Sequence, residues 1–246
     1  MAHTVVRVDM TTDRDDNLWF ASKGGVVKFD GDTFTTFSTE DGLPHNEVRD
    51  IIEDRDGYLW FATVDGVSRY DGKTFITYTT RDGLANNSIR AMLQDRDGVF
   101  WFVAWRGGVI CRFDGQAFTT FGPEDGLPDQ AFWSIVQDRD GEIWIGSSGG
   151  LSRYNPSSDA LFKTYTTEDG LAHDEVRDLL QDRNGNLWFA TFDGLSRYDG
   201  HTFETYTKKD GLVHNEMRSI LQDQMGGLWV GAYGGGVSRC NLLATS

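Results

Sequence analysis

A short, almost wholly apolar run recurs along this chain between polar turns. In the stretch from Glu53 to Phe75 it is Leu59–Thr63 (LWFAT), preceded by Asp54-Arg55-Asp56-Gly57 and followed by Asp65-Gly66. Such a run between turn signals predicts a strand covered on both faces. Before it, Val48–Glu53 (VRDIIE) mixes apolar and polar positions. After it come Val67–Tyr70, an Asp71-Gly72 turn, and Thr74–Thr79 (TFITYT), whose alternation suits an exposed outer strand. These four strands are designated A, B, C and D, from the innermost outward. No segment sustains a 3.6-residue period, so almost no helix is expected.

The pattern repeats. Trp60 has counterparts at Trp19, Trp101, Trp144, Trp188 and Trp229, at gaps of 41, 41, 43, 44 and 41 residues. A strand-rich period of about 40–45 residues predicts one four-stranded propeller blade per repeat. The expected fold is all-β: a six-bladed β-propeller of four-stranded antiparallel blades, forming a single domain over 1–246. Blade boundaries fall near 1–40, 41–81, 82–124, 125–168, 169–209 and 210–246. Five D–A linkers join them: DGLPHNEVR, DGLANNSIR, DGLPDQAFW, DGLAHDEVR and DGLVHNEMR. The first A strand is expected over Val5–Thr12. The last blade is expected to lack most of its outer strand, because the D-strand offset from Trp229 overruns Ser246. The few residues at 1–4 do not supply it, which leaves an open edge that could drive association.

Composition narrows the functional classes. A formal net charge of −15 disfavours nucleic acid and anionic membrane surfaces as partners. No apolar stretch of about 18 residues encodes a membrane span, and MAHTVVRVDM lacks a signal-peptide pattern. Cys111 and Cys240 occupy equivalent strands of separate blades and are expected to be free thiols, with no zinc site and no cofactor.

The recurring aspartates at Asp54, Asp95, Asp138 and Asp182 invite a calcium hypothesis, but the loops are too short for a full oxygen shell. A hairpin turn explains them better, with Asp bonding backbone N–H groups and Gly supplying positive φ. The six periodic tryptophans are expected to be core.

The unit GLPHNEVRDIIEDRDGYLWFATVDGVSRYDG (42–72) resembles the two-component regulator propeller repeat, and the resemblance covers essentially the whole chain. It implies a non-catalytic sensing or scaffolding module, often for glycans, found in the sensor portions of bacterial hybrid histidine kinases. It also implies a periplasmic or extracellular location. This chain carries no helical transmitter, kinase or DNA-binding part. A weaker resemblance, in GYLWF and GNLWF, is to streptogramin-lyase-type propellers, which use Mg²⁺ and a catalytic His. His45, His173 and His214 recur in linkers here, but the equivalents are Asn86 and Asp129 elsewhere, so a repeated hydrogen-bonding role fits better.

In a repeat protein, recognition should reside where the copies differ. The B–C position four residues after each core tryptophan holds Lys23, Val64, Trp105, Ser148, Phe192 and Tyr233, with Arg106 peculiar to the third blade. Linker residues Asn46, Asn87, Gln130, Asp174 and Asn215 stand on the same expected face, around the channel mouth. Each A strand opens with an arginine: Arg49, Arg90, Arg177 and Arg218, with Arg7 matched to them in the first blade. Trp133 replaces it in the fourth, where it could pair with Trp105 in a cleft. Aromatic plates beside amides and guanidiniums suit sugars and anions. The plainer reading is that the aromatics fill the mouth and each arginine pairs with an acid such as Glu47, Asp50, Glu175, Asp178 or Glu216.

The expected function is ligand binding without catalysis, with a glycan, acidic in character, at Trp105, Arg106, Trp133, Phe192, Tyr233, Arg49, Arg90, Arg177 and Arg218. The alternative is a structural or self-associating scaffold: a fragment, or an amplified or engineered repeat protein without its own ligand. A lyase-type enzyme has the least support.

Overall fold

The computed structural model of this protein describes residues 9–158 and 160–240. The chain forms six antiparallel blades in strict strand order, and its contacts cluster into two units of three blades, residues 1–121 and 122–246.

In the first unit, blade 1 comprises β1 (Met10–Thr12), β2 (Leu18–Ser22), β3 (Gly25–Phe29) and β4 (Phe34–Phe37). Blade 2 comprises β5 (Val48–Glu53), β6 (Leu59–Thr63), β7 (Gly66–Tyr70) and β8 (Phe75–Tyr78). Blade 3 comprises β9 (Ile89–Gln94), β10 (Phe100–Ala104), β11 (Ile110–Phe113) and β12 (Phe118–Phe121). In the second unit, blade 4 comprises β13 (Phe132–Gln137), β14 (Ile143–Ser147), β15 (Gly150–Tyr154) and β16 (Phe162–Tyr165). Blade 5 comprises β17 (Val176–Gln181), β18 (Leu187–Thr191), β19 (Gly194–Tyr198) and β20 (Phe203–Tyr206). Blade 6 has three strands among the described residues: β21 (Met217–Gln222), β22 (Leu228–Ala232) and β23 (Gly236–Cys240). This is the expected all-β, six-bladed propeller with an incomplete last blade. Arg7, the first half of the expected first strand (5–8) and the region after Cys240 lie outside the described residues. Among the described residues, helix is confined to single 3-10 turns in linkers, at Pro123–Asp125, Thr167–Asp169 and Lys208–Asp210.

The physical reason for the repeat is visible in every blade. β6, β10, β14 and β18 are buried at all five residues. Their tryptophan indoles would be costly to bury without an acceptor. The first Asp of the preceding turn supplies it. Trp60 Nε1 donates to Asp54 Oδ2 at 2.7 Å, and the same bond, at 2.7–2.9 Å, recurs from Trp19, Trp101, Trp144, Trp188 and Trp229 to Asp13, Asp95, Asp138, Asp182 and Asp223. The other oxygen of Asp54 accepts from the backbone of Asp56 and Tyr58. One carboxylate thus closes the A–B turn and anchors the core ring six residues on. Aspartate and tryptophan recur together because each satisfies the other.

Neighbouring blades are joined by packing and by polar bonds. Trp188, Ala190 and Leu195 of blade 5 pack on Leu212, Met217, Ile220, Leu228 and Val230 beside and in blade 6. Asp178 Oδ2 accepts from Ile220 N at 2.9 Å, and Arg183 N donates to Gln222 Oε1 at 2.9 Å. The junction between blades 1 and 2 repeats this: Asp9 accepts from Ile51 N, and Arg14 bonds Glu53.

Candidate functional site

The arginines that open the A strands share one backbone device. The pairing of β5 with β6 steps from Val48↔Thr63 to Asp50↔Ala62, leaving Arg49 without a partner across the strand. Arg90, Trp133, Arg177 and Arg218 are skipped in the same way. Each therefore sits in a β-bulge, which re-aims its side chain out of the regular alternation.

Where those side chains go differs between blades. Arg49, Arg177 and Arg218 each pair with the glutamate two residues earlier, Glu47, Glu175 and Glu216. Three also lie over an aromatic ring. The guanidinium carbon of Arg49 is 4.3 Å from the Trp105 ring centroid, that of Arg177 is 4.1 Å from Trp133, and that of Arg218 is 4.7 Å from Tyr233. Such cation–π contacts contribute about 0.5–2 kcal/mol each. Trp133 is further held by an indole bond to Ser148 Oγ at 3.1 Å. Phe192 instead sits 5.3 Å from the His173 ring.

The B–C turns are tied to the D–A linkers. Val64, Trp105, Ser148, Phe192 and Tyr233 each donate their backbone N–H to the carbonyl of Glu47, Ser88, Ala131, Glu175 and Glu216. The linker side chains largely serve this tie. His45, His173 and His214 accept at Nδ1 from the backbone N–H two residues on. Asn87 and Asn215 bridge to Asp65 and Asp193 of the preceding B–C turns. Among the described residues, no group of three or more His, Cys, Asp or Glu is placed to hold a metal ion.

Blade 3 departs from this scheme. In blades 2, 4 and 5 a hydroxyl (Thr63, Ser147, Thr191) closes the B–C turn by donating to the carbonyl of Gly66, Gly150 or Gly194. Blade 3 has Ala104 there, and its strand pairing reopens only at Val103↔Ile110. The longer turn carries Trp105-Arg106-Gly107-Gly108, with φ of 94° and 60° at the two glycines. Arg106 lies over the Trp105 ring at 4.9 Å, so this indole carries two guanidiniums. Asn86 Nδ2 props the turn by donating to Arg106 O at 3.2 Å. Blade 3 also has Ser88 where blades 2, 5 and 6 have Glu47, Glu175 and Glu216, and Ser88 Oγ accepts from Arg49 at 3.0 Å. Arg90 reaches back to the Arg49 carbonyl. Burial pulls the Arg49 pKa below its usual value; Glu47 opposes this, and the Arg106 charge adds to it. Two guanidiniums converge here on one half-buried indole, in a chain of net charge −15.

Ser88, Ala104 and the Gly107-Gly108 extension were not anticipated from sequence. Their signal was present in the 43-residue gap from Trp101 to Trp144. Trp105 and Arg106 belong to the first unit and Trp133 to the second.

The comparisons with known proteins agree with this architecture. The two component regulator propeller profile matches residues 42–65, 83–106, 126–149, 170–193 and 211–234. The extracellular domain of a hybrid two component system from B. thetaiotaomicron, BT3049, is 24% identical with a TM-score of 0.82, over 95% of this chain and 33% of that one. A second such domain from that organism, BT4673, is 20% identical with a TM-score of 0.68, over 100% of this chain and 39% of that one. The chain thus spans only a third to two-fifths of these structures. A catalytically inactive virginiamycin B lyase from Staphylococcus aureus with quinupristin shares the fold at 13% identity and a TM-score of 0.75, over 100% of this chain and 87% of that one. No curated protein matches the chain. The profile that matches is that of the two component regulator propeller, and five copies of this family's repeat run along the chain.

Proposed function

We propose that this propeller recognises a soluble ligand at the widened B–C turn of blade 3, and that the ligand is an anionic saccharide. The observation that carries this reading is the Trp105 indole lying under both Arg49 and Arg106, on a B–C turn that has Ala104 in place of the closing hydroxyl and is extended by Trp-Arg-Gly-Gly. An indole face packs on the C–H surface of a pyranose. A guanidinium fork beside it suits a carboxylate or sulfate. Arg90, with Asn86 behind the loop, completes the anion-attracting surroundings. In the second unit, Trp133 with Arg177, Tyr233 with Arg218, and the exposed Phe192 offer the same chemistry and are weaker candidate sites in their own right. An extracellular or periplasmic setting fits such a ligand.

The test is a glycan array followed by calorimetry with the wild-type chain, Trp105→Ala, Arg106→Ala and Trp133→Ala. Acidic saccharides should bind, and Trp105→Ala should weaken binding tenfold or more. A saccharide that binds all four proteins equally would overturn the site.

A second reading is supported by blade 6. Leu221, Trp229 and Val237 are 63%, 38% and 61% exposed on its outward face, an apolar patch of the kind that marks an interaction surface. On this reading the chain is a packing module that joins further copies or further blades. Light scattering across a dilution series should then show concentration-dependent mass; a strict monomer at high concentration would remove the idea.

A further inference from the structure

We propose that the outer edge of β23 and the groove beside it form a docking site for an extended segment of another polypeptide with the pattern Phe-Glu-Thr-Tyr. The groove encloses about 560 Å³ and is lined by Trp188, Leu195, Tyr206, Leu212, Arg239 and Cys240. Among the described residues, no strand pairs with the outer edge of β23. An exposed row of backbone N–H and C=O groups is a template for one more strand, and pockets beside it select the side chains.

The other five blades specify what fits, position by position. Where a C strand ends, an aromatic residue or its neighbour pairs with the first residue of D, which is always phenylalanine: Phe29↔Phe34, Tyr70↔Phe75, Phe113↔Phe118, Tyr154↔Phe162 and Tyr198↔Phe203. Those rings stand 4.4–5.1 Å apart. The D phenylalanine also meets an aromatic of the preceding D strand, as Phe203 meets Tyr165 at 5.6 Å. In blade 6 the C-strand residue is the small Cys240, while Tyr206 of the preceding D strand is in place. The space left there is that of an aromatic side chain.

The remaining positions follow in register. Arg197 pairs with Glu204 across β19 and β20 at 3.0 Å. Its counterpart Arg239 is more exposed and reaches Asp223 only at 3.4 Å, so a glutamate at the second position completes the charge match. Ser152 and Thr164 share a hydroxyl bond of 2.8 Å across β15 and β16, and Ser238 offers the same group for a threonine. Leu195 faces Tyr206, and Val237 stands ready for the final aromatic.

The probe is the chain's own strand in peptide form, Asp-Gly-His-Thr-Phe-Glu-Thr-Tyr-Thr, identical to residues 199–207. Thiol alkylation of the full chain reads its binding, because Cys240 lines the groove and the buried Cys111 is an internal reference. Saturating peptide should slow alkylation of Cys240 tenfold or more and leave Cys111 unchanged. A peptide with Asp in place of the phenylalanine should give no protection. Arg239→Glu should weaken binding at least threefold, and a peptide with Arg in place of the glutamate should restore it. No protection at about millimolar peptide, equal protection by the Asp peptide, or indifference to the charge swap would each overturn the proposal.

Discussion

Blades 5 and 6 are built from nearly the same words, yet their central tryptophans live in different surroundings. Trp188 donates to Asp182 Oδ2 at 2.8 Å and Trp229 donates to Asp223 Oδ2 at 2.8 Å. Trp188 is 2% exposed and Trp229 is 38% exposed. The hydrogen-bonded frame is therefore encoded within one repeat, while burial is supplied by the next repeat along. Blade 6 also lacks the polar groups that blade 5 sends forward: Arg183 is matched by Gln224, and Asp178 by Ser219. Gln224 sets blade 6 apart, since the other five blades carry arginine there (Arg14, Arg55, Arg96, Arg139 and Arg183), whereas Ser219 has a counterpart in Ser134 of blade 4.

The comparison can be broken most severely at the tryptophans. Trp188→Ala should cost about 3–5 kcal/mol of stability in the way of large core truncations, whereas Trp229→Ala should cost about 1 kcal/mol. Urea unfolding of both variants checks this, and equal losses would mean that blade 6 is buried in solution. The anchoring carboxylates come next. Asp182→Ala leaves a buried indole and turn amides without their acceptor, at about 2–3 kcal/mol, and Asp223→Ala should cost less than half as much, because water reaches those groups.

The forward-reaching carboxylate carries a pH signature in the first unit. Asp50 accepts from Met92 N across blades 2 and 3. Its pKa lies well above the usual carboxylate value, chiefly because of burial and then because of the charge and hydrogen bond of Asp9; Arg90 opposes the rise. A carboxyl whose folded pKa exceeds its unfolded value of about 3.9 gives stability that is complete below that value. That stability is lost as pH rises toward the folded pKa. Unfolding midpoints should therefore fall with rising pH across that window, and Asp50→Asn should flatten the dependence. The smallest effect is expected at the B–C turn. Thr191→Ala removes the hydroxyl bond to Gly194 O and converts blade 5 to the Ala232 chemistry of blade 6, at about 1 kcal/mol.

Much of this was legible in the sequence, for a physical reason. A blade closes its own hydrogen bonds over short separations, so Asp54, Gly57 and Trp60 announce the turn and the core strand by spacing alone. The three strands of blade 6 among the described residues were legible in the same way. The site was legible only in part. Trp105 and Arg106 stood out as departures, but the stacking of Arg49 on Trp105 joins residues of two different blades. It also depends on a bulge that only the strand pairing reveals. The histidines were read as a repeated hydrogen-bonding position, and Nδ1 of His45, His173 and His214 each accepts a local backbone N–H. Repetition in a sequence marks what the scaffold needs. A broken repeat marks where to look, but the partners across blades come from the fold.

The most direct test of the central claim is to follow the indole N–H resonances of the eight tryptophans during titration with an acidic saccharide. The signal of Trp105 should shift most, with a smaller response from Trp133, while the six indoles hydrogen-bonded to aspartate, five of them buried and Trp229 exposed, stay fixed. Movement of the core signals with Trp105 unmoved would contradict the account.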